Sequence, residues 1–247
     1  MNRRVIYCHG LPGSPEELSA FEAPLAHVQG LDRLALCVHD YETDLLSAVD
    51  ALSIEAPVTL AGFSLGAMSA AYIAAKRSHL VDKLILIAPA APLELGDFLS
   101  DMAGRPVFEA AQKGSATLRA FTAVQACLVA MTPQLALRTM FRRSPEEDTR
   151  LLASRRFASV VTAGMRTCLG RRQAAYRREL LAYVRPWAEV LSEIRCATEI
   201  WSAADDDWAP PAMAQAFKDR LGDLATLNVC AGLGHYTTLQ AALPRLQ

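Results

Sequence analysis

Six short runs rich in apolar residues, most of them without polar alternation, restrict the fold of this chain more than any other feature. They occupy residues 4–8, 33–38, 57–63, 83–88, 198–202 and 225–230. A strand with one wet face alternates polar and apolar side chains. A strand covered on both faces does not, which is the habit of a parallel sheet. Stretches of helical length and composition lie between the runs, at 41–54, 66–78, 210–221 and 236–246. That alternation predicts an α/β fold, a mostly parallel central sheet flanked by helices on right-handed crossovers. The rhythm stops between about 89 and 195. There the sequence shows helical stretches at 115–131, 146–169 and 171–184, stopped by Pro133, Gly170 and Pro186, and no strand-like run. We therefore expect an all-helical cap, 91–195, inserted into a core made of 1–90 and 196–247. No Gly/Ser-rich linker divides them, so one cooperative unit is expected.

Composition permits this and excludes other classes. The chain has 247 residues, 52% hydrophobic and 21% charged, enough to bury a sizeable core. Lys+Arg 25 against Asp+Glu 26 gives a net charge of -1, which argues against a coat for nucleic acid or anionic membrane. Cys8, Cys37, Cys127, Cys168, Cys196 and Cys230 show neither disulfide-scaffold nor zinc-ligand spacing, so reduced thiols in the cytoplasm are expected. The start, Met1-Asn2-Arg3-Arg4, is followed by an apolar run too short for a secretory signal. The uncharged stretches 56–75 and 120–137 are interrupted by Pro, Gly, Ser and Thr, so no transmembrane span is expected.

Three segments carry chemistry. Gly62-Phe63-Ser64-Leu65-Gly66 matches G-x-S-x-G between an apolar strand and a helix of small residues. Such a turn strains the serine backbone and lifts its hydroxyl to the carboxyl edge of the sheet, beside a helix amino terminus that favours negative charge. The plain alternative is a helix-capping serine. Gly232-Leu233-Gly234-His235-Tyr236 follows the last run, placing His235 where a loop can bring it over Ser64 as a base. Its position separates it from His9, His27, His39 and His79, although a lone histidine is ordinarily structural. Asp205, Asp206 and Asp207 follow the penultimate run, where an acid could orient an imidazole; alternatively they cap the helix that starts at Pro210.

The order Ser64, Asp, His235 and the segments around it resemble the α/β-hydrolase fold superfamily over nearly the whole chain. His9-Gly10-Leu11-Pro12-Gly13 is similar to that family's HG-x-P-G loop. The resemblance implies an oxyanion hole built from the backbone N–H groups of Leu11 and Leu65, with His9 and Gly10 shaping the loop. Family members carry G-x-x-D-x-x-x-P at the acid. Here Ala203 stands in the glycine's place, which points to Asp206 and leaves Asp205 as the alternative register. The expected protein is a serine hydrolase that needs no cofactor or metal and cleaves a carboxylic ester through Ser64, His235 and Asp206. Thioesterase, aminopeptidase and carbon–carbon hydrolase chemistry share this core. A non-catalytic small-molecule receptor is the rival from another class. A dehalogenase would carry a carboxylate where Ser64 stands. Twelve arginines between 138 and 185, against Glu146, Glu147, Asp148 and Glu179, make the expected cap basic. They are either a solvated face or a contact for an anionic substrate or acyl-carrier protein.

Overall fold

The structure, a computed structural model, describes residues 4–247; Met1, Asn2 and Arg3 of the amino-terminal tetrapeptide lie outside the described residues. Six strands form one sheet: β1 (Val5–Cys8), β2 (Val28–Gly30), β3 (Val58–Phe63), β4 (Val81–Ile87), β5 (Ala197–Ala203) and β6 (Ala225–Cys230). The order is β2-β1-β3-β4-β5-β6 and every neighbouring pair is parallel. All residues of β1 and β3 are buried, as their unalternating hydrophobicity requires. The strand order reverses direction at β1, so the carboxyl ends of β1 and β3 meet beside a crevice, the usual place for a site in a sheet of this kind.

Helices α1 (Tyr41–Asp50) and α2 (Gly66–Lys76) flank β3 in sequence. Asp40 caps α1 by accepting from the Thr43 N–H at 3.0 Å. Between β4 and β5 come α3 (Arg105–Gln112), α4 (Ser115–Met131), α5 (Pro133–Met140), α6 (Glu146–Leu151), α7 (Arg155–Arg166) and α8 (Gln173–Tyr183). After β5 follow α9 (Pro211–Leu221) and α10 (His235–Ala242). Among the described residues, no helix is long and apolar enough to cross a membrane.

Several elements differ from expectation, each for a visible reason. The run 33–38 is not a strand; β2 lies earlier, at Val28–Gly30. Arg33 turns inward to Glu179 of α8 at 2.6 Å, while Arg172 and Arg178 donate to the carbonyls of Leu34 and Leu36. Side chains therefore take the backbone acceptors that a strand would have offered to its neighbour. The helix expected over 146–169 is divided: Ser154 accepts from the Phe157 N–H at 3.3 Å and starts α7 afresh. Pro133 does not merely stop α4; it opens α5, where a missing N–H costs nothing. Glu94, early in the insertion, reaches across to its far end. It accepts from the N–H groups of Trp187 and Ala188, both at 2.6 Å, at the start of the 188–193 turn.

Candidate active site

At the carboxyl end of β3, Ser64 sits with φ +55°, a left-handed backbone that only a closely constrained turn imposes on a residue with a Cβ. Its neighbours explain how the turn is held. A Cβ on Gly62 would lie 2.7 Å from the Gly66 carbonyl oxygen and 2.8 Å from the Ala70 Cβ; one on Gly66 would lie 2.1 Å from the Cys8 carbonyl oxygen. Both positions are open only to glycine, because strand, helix and the next strand touch there. The Ser64 N–H donates to the Ile87 carbonyl at 3.0 Å, and its own carbonyl accepts from Ala67 and Ala90 at 3.0 and 3.1 Å.

Successive residues of β3 point to opposite faces of the sheet. Gly62 meets α2, and Phe63 meets α10 on the other side. The Phe63 ring stands 4.6 Å from the His235 ring and 5.3 Å from that of Tyr236. His235 is the first residue of α10 and is buried. Its Nδ1 donates to Asp206 Oδ2 at 2.8 Å, since a carboxylate can only accept. The second oxygen of Asp206 accepts from the Trp208 and Ala209 N–H groups at 2.8 and 2.9 Å, which fixes the carboxylate after β5. Asp205, one residue earlier, is exposed, and Asp207 is half-buried with Oδ1 receiving the Ser144 hydroxyl at 3.4 Å.

The electrostatics of His235 are a contest. Burial disfavours its protonated form, while the charge and hydrogen bond of Asp206, then the charges of Asp148 and Asp207, favour it. The carboxylates prevail, and the imidazole titrates above its ordinary range. Asp207 is itself pushed up, by burial and then by the Asp206 charge.

Asp148 carried no sequence signal, being one of three acids at the start of a surface-type helix. It is fully buried and serves the His235 helix from outside. Its Oδ2 accepts from the Tyr236 N–H at 3.0 Å, and its Oδ1 from the Thr237 N–H and hydroxyl at 2.8 and 2.6 Å. Gly234, at the N-cap of α10, has no side chain for that task. A Cβ there would lie 2.8 Å from the Asp148 carboxyl carbon and 2.5 Å from Pro145. The two features belong together: glycine leaves the room, and α6 supplies the cap.

Across the crevice, the loop after β1 turns back on itself. Gly10 N–H donates to the buried Glu17 carboxylate at 2.9 Å, and Tyr7 donates to the same oxygen at 2.7 Å. Burial pushes the Glu17 carboxyl up against those hydrogen bonds. His9 lies wholly inside, its Nδ1 donating to the Gly10 carbonyl at 2.7 Å, and burial holds it neutral. The Cys168 thiol donates to the Gly13 carbonyl at 3.0 Å, tying the segment after α7 to this loop. Among the described residues, neither the Leu11 nor the Leu65 N–H has an acceptor within the chain. Leu11, Ser64 and Leu65 all line one cavity of about 310 Å³. Its wall continues through Met102, Val107, Phe108, Leu128 and Val129 of the insertion and reaches Trp208, whose ring centroid lies 6.3 Å from that of His235.

The structure thus brings Asp206 to His235, His235 to the residue before Ser64, and Ser64, Leu11 and Leu65 to one cavity. It leaves Asp205 outside. Among the described residues there is no cluster of His, Cys, Asp or Glu suited to a metal ion.

The model of the alpha/beta hydrolase family matches residues 3–243. No curated protein matches the sequence. Among solved structures, a hydrolase from Oleispira antarctica is 14% identical with a TM-score of 0.67, over 98% of this chain and 87% of its own. A bromoperoxidase from Bacillus anthracis is 16% identical with a TM-score of 0.66, over 100% of this chain and 92% of its own. An esterase from Thermogutta terrifontis is 16% identical with a TM-score of 0.65, over 99% of this chain and 90% of its own. At such identities the likeness is one of fold, and the fold agrees with a family match that spans the sheet, the insertion and the last helix: this chain belongs to the alpha/beta hydrolase family.

Proposed function

We propose that this hydrolase cleaves a carboxylic ester through an acyl-enzyme, with Ser64 as nucleophile, His235 as base and Asp206 as its orienting acid. The observation that carries the reading is the left-handed Ser64 at the cavity wall, one residue from the ring of a histidine already bonded to a buried aspartate. Asp206 holds the Nδ1–H tautomer, so that Nε2 is the basic nitrogen. That nitrogen takes the Ser64 proton as Oγ attacks the carbonyl carbon. The oxyanion is received by the free N–H groups of Leu11 and Leu65; a donor of this kind is worth about 3 kcal/mol in the transition state. The His235 imidazolium then gives its proton to the departing alcohol. Water, deprotonated by the same nitrogen, attacks the acyl-enzyme, and the carboxylic acid leaves with Ser64 restored.

The 91–195 segment acts in this reading as a cap, its apolar side chains forming the chamber for the acyl or alcohol group. The apolar wall suits a small-molecule ester better than a hydrated polymer. Treatment with a fluorophosphonate followed by peptide mapping tests the assignment: the adduct is expected on Ser64, and Ser64→Ala is expected to lose both adduct and turnover of p-nitrophenyl esters. Folded protein that neither takes the label nor cleaves any ester of the series would refute it and leave a binding protein with a hydrolase fold.

A further inference from the structure

The cavity beside Ser64 has an uneven charge. Among its lining residues the charged side chains are Arg142 and Arg143, on the turn after α5, and no Asp or Glu joins them. Both are exposed to solvent at the cavity mouth. Four other arginines of the helical insertion pair with carboxylates, Arg105 with Glu109, Arg150 with Glu146 and Glu147, Arg172 with Asp32, and Arg178 with Asp44, whereas Arg138, Arg155, Arg166, Arg171 and Arg185 pair with none among the described residues and do not line this cavity. Among the described residues neither Arg142 nor Arg143 has such a partner. Arg143 acts on Asp207 through its charge without forming an ion pair, and one half-buried carboxyl cannot neutralise two guanidiniums. On the same wall, the buried Oε1 of Gln125 has no hydrogen-bond partner among the described residues. An apolar chamber with an unpaired acceptor in its wall and two unpaired cations is built for a ligand with polar groups beyond its scissile bond.

We propose that the substrate carries an ionised carboxylate in addition to its ester, and that Arg142 and Arg143 bind this carboxylate while the ester lies at Ser64. The proposal rests on the hydrolase reading and names the substrate class of that site. Guanidinium suits the task because its planar fork meets both carboxylate oxygens and stays charged. The apolar wall between the two ends favours a chain of methylene groups, so the class is the monoester of a dicarboxylic acid. The chamber's volume of about 310 Å³ fits a small molecule. A carrier protein would instead need the outer helix faces, where Arg172 is already engaged with Asp32 and the Leu34 carbonyl.

The test compares p-nitrophenyl monoesters of straight-chain dicarboxylic acids, from adipate to suberate, with p-nitrophenyl alkanoates of equal carbon number. For at least one length, the carboxylated ester is expected to exceed the neutral one in kcat/KM by about tenfold to a hundredfold at low salt, the range of one charge-assisted hydrogen bond. Most of the difference should lie in KM. In the Arg142→Gln/Arg143→Gln double variant the ratio is expected to fall to about one, and a misfolded variant would betray itself by losing both activities together. A wild-type ratio near one at every length, with neutral esters cleaved and Ser64 labelled, overturns anion recognition and spares the hydrolase reading. Absence of both labelling and turnover is the separate signature that the hydrolase reading has failed, and the proposal fails with it.

Discussion

Asp148 shows how a single carboxylate can serve geometry and charge at once. It occupies the place of an N-cap on α10 and its charge adds to that of Asp206 on His235. In the proposed mechanism His235 must be neutral to take a proton, so kcat/KM should rise with pH through a limb whose midpoint lies above the ordinary imidazole value of 6.5. Asp148→Asn removes the charge and keeps the shape. It should move that limb to lower pH and reduce stability by about 1–3 kcal/mol, the cost of a broken buried network. A limb that stays in place while stability falls would make Asp148 purely structural. The linked stability has a definite sign: because folding raises the His235 pKa, its contribution is full below the unfolded imidazole pKa and is lost as pH rises through the folded one. At Asp206, replacement by Asn releases the wrong tautomer, and kcat for an ester should fall by about 10⁴-fold with folding kept. Asp205→Asn, on an exposed side chain, should change it little, and the reverse order would move the acid one residue back. Ser64, Asp206 and His235 were legible as candidates because each follows an apolar run. Asp148 was not: three consecutive acids at a helix start look alike until the fold buries one of them.

At the scale of elements, the turn between β3 and α2 depends on close backbone approach, and its glycines report on it. A Cβ at position 66 would sit 2.1 Å from the Cys8 carbonyl oxygen, a rigid part of β1. Gly66→Ala is therefore expected to cost about 3 kcal/mol in urea unfolding, at the upper end of overpacking, and to abolish labelling of Ser64 by displacing the turn. Gly170→Ala, where a Cβ would meet nothing within 4 Å, is the matched control and should stay near wild type. The same logic separates what the sequence disclosed from what it hid. Strands β1 and β3, and the carboxyl half of β4, were readable because burial on both faces leaves an unbroken apolar run; β5 and the edge strand β6 are only partly buried and were readable from their apolar composition. β2 was hidden because three residues, half-buried and exposed in turn, make no such run, while of the apolar residues of 33–38 only Leu34 is buried and Ala35, Leu36, Cys37 and Val38 are exposed. Helix α3 escaped notice as well; its eight residues open on Arg105-Pro106, a start that also reads as a loop. The strand expected over 33–38 failed for another reason: long-range partners, Glu179, Arg172 and Arg178, decide its local conformation.

The whole molecule is joined across the boundary between the sheet and the helical insertion by contacts that no surface linker would supply. Arg33 and Glu179 form an ion pair with side chains only 1% exposed, and the Ser69 hydroxyl of α2 reaches the same carboxylate at 3.3 Å. Tyr183 donates to the Ala91 carbonyl at 2.9 Å, Cys168 to Gly13, and Asp148 receives the first turn of α10. The buried pair does not have to add net stability to act as a link, since its desolvation offsets much of its attraction. Removing one partner is another matter. Glu179→Gln would leave a buried guanidinium uncompensated, at a cost of about 3–5 kcal/mol, and that loss should fall on the global transition and not on the insertion alone. Trp187 lies at the end of the insertion and Trp201 in β5, so tryptophan fluorescence samples both parts while far-ultraviolet circular dichroism follows the helices. In urea the two signals should coincide for the wild type and for Glu179→Gln, with the variant's midpoint lower and its slope unchanged. Two separated transitions, the helical signal melting first, would show instead that 91–195 unfolds as a lid on a sheet that stands without it.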